Sequence, residues 1–332
     1  MNETNLQVVL ESRPAQRVEE SNFRFVLAPV PDPREGELLV RVDWLSLDPY
    51  MRGRMNEGKS YAARVELGDV MVGGAVGTVV SSRHPNYVEG DRVLGMLGWQ
   101  RFALTDGRGL MKLPDPRLPE TAWLGAAGMP GITAWMGLEL IGKPAAGETL
   151  VVSAASGAVG GVVGQLAKLA GCRAVGIAGG AAKCDYVVKE LGFDACIDYK
   201  AGPIDPALKS AAPSGVDVYF DNVGGAILDA VLRRANPGAR IPLCGLIAGY
   251  DGDDIPIHNV FSLLVNRVRL QGFIVSDRMD LWPRAMTELA GHVAAGRIKY
   301  RESVAQGLES APRAFIGMLK GENFGKQLVR VS

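Results

Sequence analysis

The sequence predicts an α/β fold in which a doubly wound parallel sheet is joined to a second, mostly β domain. Three observations carry this expectation. The chain has 332 residues, more than the ~100–200 of one typical domain, so two domains are expected. Its first third reads as short Val- and Leu-rich runs punctuated by Gly and Pro. Beyond residue 122, apolar runs alternate with stretches of helical period that close on glycine, the signature of a parallel sheet covered on both faces.

In the first third, ELLVRVDWLSL (37–47), GGAVGTVVSS (73–82) and DRVLGML (91–97) read as strands separated by turns such as PREGE and YVEGD. The alternating region starts with strand TLVVSA (149–154) and helix AVGGVVGQLAKLA (158–170), closed by Gly171. Strand RAVGIA (173–178), the amphipathic AAKCDYVVKEL (181–191) closed by Gly192, and a short ACID strand (195–198) follow. VDVYFDNV (216–223), GAILDAVLRRA (225–235) and ARIPLCG (239–245) continue the alternation. The tail from residue 300 holds a helical SAPRAFIGMLK and ends in the strand-like FGKQLVRV, which can return to the first domain and make it discontinuous. No repeat of fixed period and no low-complexity tract is present.

Composition narrows the function classes. Hydrophobic residues are 47% and charged residues 22%, enough apolar material for sizeable cores. Lys+Arg and Asp+Glu are both 36, so no overall positive field exists to gather nucleic acid or an anionic membrane. The start, MNETNLQVVLESRP, is not a secretory signal, and no run approaches the ~20 apolar residues of a membrane span. Four cysteines (Cys172, Cys184, Cys196, Cys244) without CxxC spacing suit reduced thiols, and a cytoplasmic location is expected.

The chemistry centres on residues 155–160, Ala-Ser-Gly-Ala-Val-Gly, a GxGxxG pattern with Ala in the first glycine's place. A strand leads into it and a helix leads out, the context a dinucleotide loop requires. Gly157 lets the backbone approach a pyrophosphate, Gly160 lets helix pack closely on strand, and the phosphates lie at the positive helix N-terminus. A turn that merely packs helix on sheet would use the same glycines, but the flanking elements favour the cofactor. NAD-preferring chains carry an acid at the end of the second strand for the ribose 2′-OH. Here RAVGIA runs into Gly179-Gly180, no carboxylate appears until Asp185, and Lys183 can neutralise a 2′-phosphate. Taken alone Lys183 is an ordinary solvated helix residue; with the acid missing, NADP(H) is the favoured cofactor. A zinc dehydrogenase would need Cys, His and carboxylate ligands plus a four-Cys cluster. This chain has three scattered histidines (His84, His258, His292) and no cysteine before residue 172, so metal-free hydride transfer is expected.

These residues resemble a known group. VSAASGAVGGVVGQLAKLAGC (152–172), FDNVGG (220–225), CGLIAGY (244–250), GFIV (272–275) and GENFGK (321–326) are similar to the leukotriene hydroxydehydrogenase/prostaglandin reductase family. That family belongs to the zinc-independent medium-chain dehydrogenase/reductases and includes alkenal double-bond reductases and curcumin reductase-like enzymes. LDPYMRGRM (47–55), GWQRFALTD (98–106) and GMPGITAW (128–135) match as well, so the resemblance covers nearly the whole chain. Where zinc-dependent relatives carry GHExxGxV, this chain reads VGGAVGTV, with Gly73 and Gly74 in place of His and Glu.

The resemblance implies a GroES-like catalytic domain from residues 1–122 and 299–332 around a Rossmann domain at 123–298. It also implies NADP(H) contacts from Gly157, Ala158, Val159 and Gly160, and from Lys183 and Tyr199 at the 2′-phosphate end. Asn222, the loop from Cys244 and Gly245 to Tyr250, a strand Phe273-Ile274-Val275, and Asn323 complete the implied nest. It implies a homodimer. After GFIV the chain reads SDRMDLWPRA rather than the Tyr-Arg-Trp-bearing stretch of mammalian members, which points away from prostaglandins and leukotrienes.

The implied reaction is reduction of a C=C bond conjugated to a carbonyl, with an enal or enone as the small-molecule substrate. The enolate formed after hydride reaches the β-carbon needs hydrogen bonds in place of a metal, and Tyr250 is the first candidate donor, Tyr50 the second. Either tyrosine could instead be a packing residue with a hydrogen-bonded tip. Two other readings stay open: a quinone or carbonyl reductase on the same fold, and a cofactor-bound binding protein of the zeta-crystallin kind.

Overall fold

The computed structural model describes residues 4–58 and 60–331, and the chain packs as two units, Met1–Leu124 with Glu302–Ser332 and Gly125–Arg301. In the first unit, β1 (Thr4–Leu10) pairs antiparallel with β2 (Phe23–Pro29). Next come β3 (Leu38–Ser46), the single helical turn α1 (Tyr50–Arg54), β4 (Ala75–Ser82), β5 (Arg92–Gly95), β6 (Phe102–Thr105) and β7 (Met111–Lys112). β3 alternates Val and Leu with polar residues and pairs antiparallel with both β4 and β6. The strand runs read from sequence at 73–82 and 91–97 start late or stop short, because Gly73-Gly74 and Met96-Leu97 lie outside the ladders.

The second unit opens with α2 (Met129–Met136), which passes without a break into a π-turn at Gly137–Gly142. The alternation follows: β8 (Thr149–Ser153), α3 (Gly160–Leu169), β9 (Arg173–Ala178), α4 (Ala181–Lys189), β10 (Ala195–Asp198), α5 (Ile204–Ala211), β11 (Val216–Phe220) and α6 (Gly225–Leu232). β12 (Ala235–Leu243), α7 (Val260–Val265), β13 (Arg269–Gly272) and α8 (Trp282–Ala294) complete it. The sheet order is β10-β9-β8-β11-β12-β13 and every pairing is parallel. Numbered within this unit, that is 3-2-1-4-5-6, the Rossmann order, whose direction of winding reverses between β8 and β11. All five residues of β8 are buried, as a strand covered on both faces must be.

Four expectations need correction. Helix α3 begins at Gly160, so Ala158 and Val159 belong to the turn before it. The helix expected over 225–235 ends at Leu232, and Ala235 already pairs with Val216. The strand read at 239–245 instead runs Ala235–Leu243, with an irregularity at Asn236-Pro237-Gly238, where Gly238 has positive φ and the register shifts between Val216 and Val218. Finally, Phe273 to Val275 is not a strand. Parallel pairing ends at Gly272, and Val275 opens a 3₁₀ segment, Val275–Leu281, fixed by the Trp282 indole donating to the Val275 carbonyl at 3.0 Å.

The tail then rejoins the first unit. β14 (Glu302–Gln306), α9 (Ala311–Leu319) and β15 (Lys326–Arg330) follow, with β15 parallel to β14 and antiparallel to β3. The core of this unit gathers around Trp99, which stacks on Phe23 at 5.5 Å and meets Phe315 of α9 edge-on at 5.6 Å. Buried aromatics in these geometries add to the area they remove from water.

Candidate active site

The loops leaving β8 and β11 lie side by side where the winding reverses, the crevice in which open α/β sheets take ligands. After β8 the chain turns sharply: Ala154 has φ 52° and its carbonyl accepts the Gly157 amide at 2.9 Å. The two glycines of this turn have different constraints. A Cβ on Gly160 would lie 2.4 Å from the Ala154 carbonyl oxygen, so this glycine lets α3 close onto the strand. A Cβ on Gly157 would meet just that oxygen, at 3.1 Å, leaving the space beside it clear of protein. Such a cradle at the start of a ten-residue helix suits a pyrophosphate.

After β11, Asp221 is fully buried, and its Oδ1 accepts from the Tyr219 hydroxyl (2.8 Å), Ser153 Oγ (3.2 Å) and the Val223 and Gly224 amides (2.9 Å each). Its backbone carbonyl accepts from Cys244 and Gly245. Burial pushes its carboxyl up, against the pull of these donors. One aspartate thus ties the ends of β8 and β11 to the loop after β12. Sequence reading passed over it in favour of its neighbour Asn222. The signal was there, an acid directly after an apolar strand and before Gly-Gly. Asn222 completes the stitch, its Nδ2 donating to the Ser153 carbonyl at 2.8 Å and its backbone amide to Ser153 Oγ at 2.9 Å.

The Cys244–Tyr250 loop folds back over this knot. The Ile247 and Ala248 amides reach the carbonyls of Asn222 and Val223, and Tyr250 closes a 3₁₀ turn, Ile247–Gly249. A Cβ on Gly245 would stand 3.5 Å from the Tyr250 hydroxyl, so that oxygen lies over the Gly245 backbone. Cys244 is pushed up to about 12, by burial first and then by the Asp221 charge, and stays a thiol at neutral pH. Phe273 packs edge-on against Phe220 at 6.1 Å, and both rings fill the space a side chain at Gly137 would take. Ile274 leads into the 3₁₀ segment that begins at Val275.

At the end of β9, Gly180 has φ 99°, and its amide donates to Asp198 Oδ1 at 2.8 Å. The same oxygen takes the Lys200 amide at 2.9 Å. Tyr199 lays its ring on Gly179, where a Cβ would come within 2.8 Å of the phenol oxygen. Lys183 is half-buried on the first turn of α4, its ammonium pulled down by burial and then by the nearby Lys200 charge. Two cations beside a glycine turn, with one Asp198 oxygen taking two backbone amides, suit a phosphate rather than a ribose hydroxyl.

Two candidates belong to the first unit. Tyr50 starts α1, and burial followed by the Asp48 charge pushes its phenol up, so it keeps its proton at neutral pH. Asn323 donates to the Gly325 carbonyl at 2.8 Å within its own turn.

Fold and crevice define a dinucleotide-dependent oxidoreductase of the Rossmann type. Family models described as "N-terminal domain of oxidoreductase" and "Zinc-binding dehydrogenase" match residues 6–113 and 158–291. The chain is 48% identical to the NADPH-dependent curcumin reductase of Escherichia coli (strain K12), covering 99% of this chain and 97% of the relative. It is 40% identical to the 2-alkenal reductase (NADP(+)-dependent) of Nicotiana tabacum, over 99% and 98%. CurA of Vibrio vulnificus in complex with NADPH superposes with a TM-score of 0.94 at 47% identity, over 98% of this chain and 99% of that one. The chain belongs to the zinc-independent medium-chain dehydrogenase/reductases, in the family of these double-bond reductases.

The second model's description raises zinc, and the donor set does not fit one. Among the described residues no three His, Cys, Asp or Glu groups come together as a metal site. A Cβ on Gly73 would lie 2.8 Å from Leu45 and 3.0 Å from the Trp99 ring, so a side chain there would have to push both aside.

Proposed function

We propose that the protein uses NADPH to reduce the C=C bond of α,β-unsaturated aldehydes and ketones. NADPH-dependent double-bond reduction follows from the family; the enal or enone substrate is the finer part of the proposal. The observation that carries it is that the open Gly157 cradle after β8, the Lys183–Lys200 cation pair after β9 and β10, and the Tyr250 hydroxyl after β12 all follow the C-terminal ends of strands of one parallel sheet. The cofactor, when bound, supplies hydride. Gly157, Ala158, Val159 and Gly160 hold its pyrophosphate; Lys183, Lys200 and Tyr199 hold its 2′-phosphate. Asn222, the Cys244–Tyr250 loop and the Phe273–Val275 segment border the rest, and Asn323 is a further candidate contact.

The residues' remaining task is to steady negative charge on the substrate oxygen. With no metal ligand set, hydrogen-bond donors do this, and they hold a delocalised enolate more readily than an alkoxide. The Tyr250 hydroxyl, fixed over Gly245, is the first such donor, and Tyr50 the second. No tyrosine is followed four residues later by lysine, so the Tyr-xxx-Lys pair that protonates an alkoxide at once is absent. The test uses deuteride-labelled NADPH with a simple enone and NMR of the product. Deuterium at the β-carbon of a saturated ketone is expected; deuterium on the carbinol carbon of an allylic alcohol refutes the proposal.

The molecule is also proposed to work as a homodimer. β13 is an edge strand of the six-stranded sheet, and α7 beside it exposes Phe261 (75%), Leu264 (74%), Val260 and Val265. An open edge flanked by apolar side chains suits a second copy of the same chain.

A further inference from the structure

The proposed mechanism leaves one pair of nucleophilic side chains unused. Cys184, on the first turn of α4, and Cys196, in β10, have their sulfurs 3.0 Å apart. Both thiols also contact the backbone of Ala178, the last residue of β9. The pair therefore sits beneath the Gly179-Gly180 turn. Lys183 immediately precedes one cysteine, and Asp198, which holds the Gly180 and Lys200 amides, lies two residues beyond the other.

We infer that Cys184 and Cys196 form a reversible disulfide, driven by low-molecular-weight disulfides, that weakens NADPH binding at the 2′-phosphate end. The chemistry balances. Burial pushes both thiols above their ordinary value, Cys196 the further, so the reaction starts from the small thiolate fraction of Cys184. That thiolate attacks a sulfur of the external disulfide, breaking its S–S bond, forming a mixed disulfide and releasing one small thiol. The second cysteine, as its thiolate, attacks the protein sulfur of the mixed disulfide. The Cys184–Cys196 bond forms and the second small thiol leaves. The two protein thiols are oxidised by two electrons in all, the external disulfide is reduced, and the two protons end on the released thiols. The second step is intramolecular between groups already in contact, which favours ring closure over a lasting adduct.

The structural consequence follows from length. A disulfide bond is about 2.05 Å, so the sulfurs must close by roughly 1 Å, drawing the start of α4 toward β10. Lys183 and the Gly179-Gly180 turn lie on the segment that moves, whereas the Gly157–Gly160 cradle lies on another loop. Coupling is reciprocal at equilibrium: if the disulfide weakens NADPH binding, bound NADPH disfavours the disulfide by the same factor. Such redox-labile pairs are the form disulfides take in reducing compartments.

This inference rests on the proposed cofactor site, and the experiment separates the two. The purified full-length protein is incubated with glutathione disulfide, with and without NADPH, then mapped by peptide mass spectrometry and titrated with NADPH and with NADH. Expected are a Cys184–Cys196 cross-link with loss of two hydrogens, disfavoured by NADPH, and a rise of about fivefold or more in Kd for NADPH, with little change for NADH. Dithiothreitol should reverse both effects, and C184S should retain its NADPH affinity under the same oxidation. Glutathione adducts without the cross-link, or a cross-link that leaves the NADPH Kd unchanged, would overturn the inference. In parallel, K183A reports on the cofactor site itself. If K183A binds NADPH normally while the cross-link still weakens binding, the 2′-phosphate assignment fails and the redox coupling stands.

Discussion

Two glycines three residues apart should respond to alanine in opposite ways, because one faces protein and the other faces open space. At Gly160 the new Cβ would sit 2.4 Å from the Ala154 carbonyl oxygen and 2.9 Å from its carbon, backbone atoms that cannot swing aside. To reach ordinary contact near 3.4 Å, the start of α3 must recede from β8 by about 1 Å. Overpacking of this kind costs ~1–3 kcal/mol, offset by up to ~1 kcal/mol from alanine's better helix propensity. The net cost of Gly160→Ala, about 1–2 kcal/mol, should lower Tm by roughly 2–8 °C, at about 2–4 °C per kcal/mol for a unit of this size. At Gly157 the single contact, 3.1 Å from the same oxygen, is relieved by a shift of a few tenths of an ångström. Its Tm should stay within about 2 °C, while Kd for NADPH rises at least tenfold, about 1.4 kcal/mol, because the methyl occupies the pyrophosphate's place. Thermal unfolding of the cofactor-free proteins by circular dichroism gives the first quantity and NADPH titration by fluorescence the second. Equal destabilisation by both variants, or unchanged NADPH binding by Gly157→Ala, refutes the division of roles.

Lys183→Ala should weaken NADPH by one to two orders of magnitude, the ~1.5–3 kcal/mol of a charge-assisted contact, and leave NADH nearly unchanged; an equal loss for both would place Lys183 elsewhere. Glu148 receives both terminal nitrogens of Arg240, at 2.8 and 2.7 Å, and these hydrogen bonds hold its carboxyl below the usual range against the opposing effect of partial burial. A depressed folded-state value contributes stability above the unfolded pKa and loses it as pH falls through the folded one. Glu148→Gln should thus cost roughly 1–2 kcal/mol at pH 7, and the gap in denaturant midpoints should close below about pH 4. Phe261→Asp on α7 should shift the protein to monomer in light scattering with sizing; a monomeric wild type would dispose of the dimer.

The parallel sheet was legible because strands buried on both faces leave long apolar runs, and VVS, AVGIA and VYF are such runs. What stayed hidden depends on contacts between distant segments. The π-turn after α2 has no sequence mark, since Gly137 is shaped by Phe220 and Phe273 closing on it from far along the chain. Asn-Pro-Gly at 236–238 has turn chemistry, yet pairing of Ala235 with Val216 and of Arg240 with Val218 carries the strand past it as an irregularity. The resemblance implied a strand at Phe273 to Val275, but the ladder has already ended at Gly272. In the crevice, the glycines and Lys183 could be singled out by spacing. Asp221 carried a sequence signal, an acid after an apolar strand, but that signal does not show that four donors converge on one of its buried oxygens.

The fate of the missing acid explains how the chain favours a phosphate. NAD-binding chains keep a carboxylate at the end of the second strand, where it accepts from the ribose hydroxyl and repels a 2′-phosphate. Here that position is Gly179, and its missing side chain makes room for the Tyr199 ring. A carboxylate does occur one strand over, at Asp198, where the Gly180 and Lys200 amides donate to the same oxygen and hold its carboxyl below its ordinary value. Those bonds also shape the turn. They fix Gly180 at a φ of 99°, open the start of α4, and keep Lys200 close enough to lower the Lys183 ammonium. A carboxylate that would repel a phosphate on the second strand instead builds, from the third, the turn and the cation pair proposed to receive it.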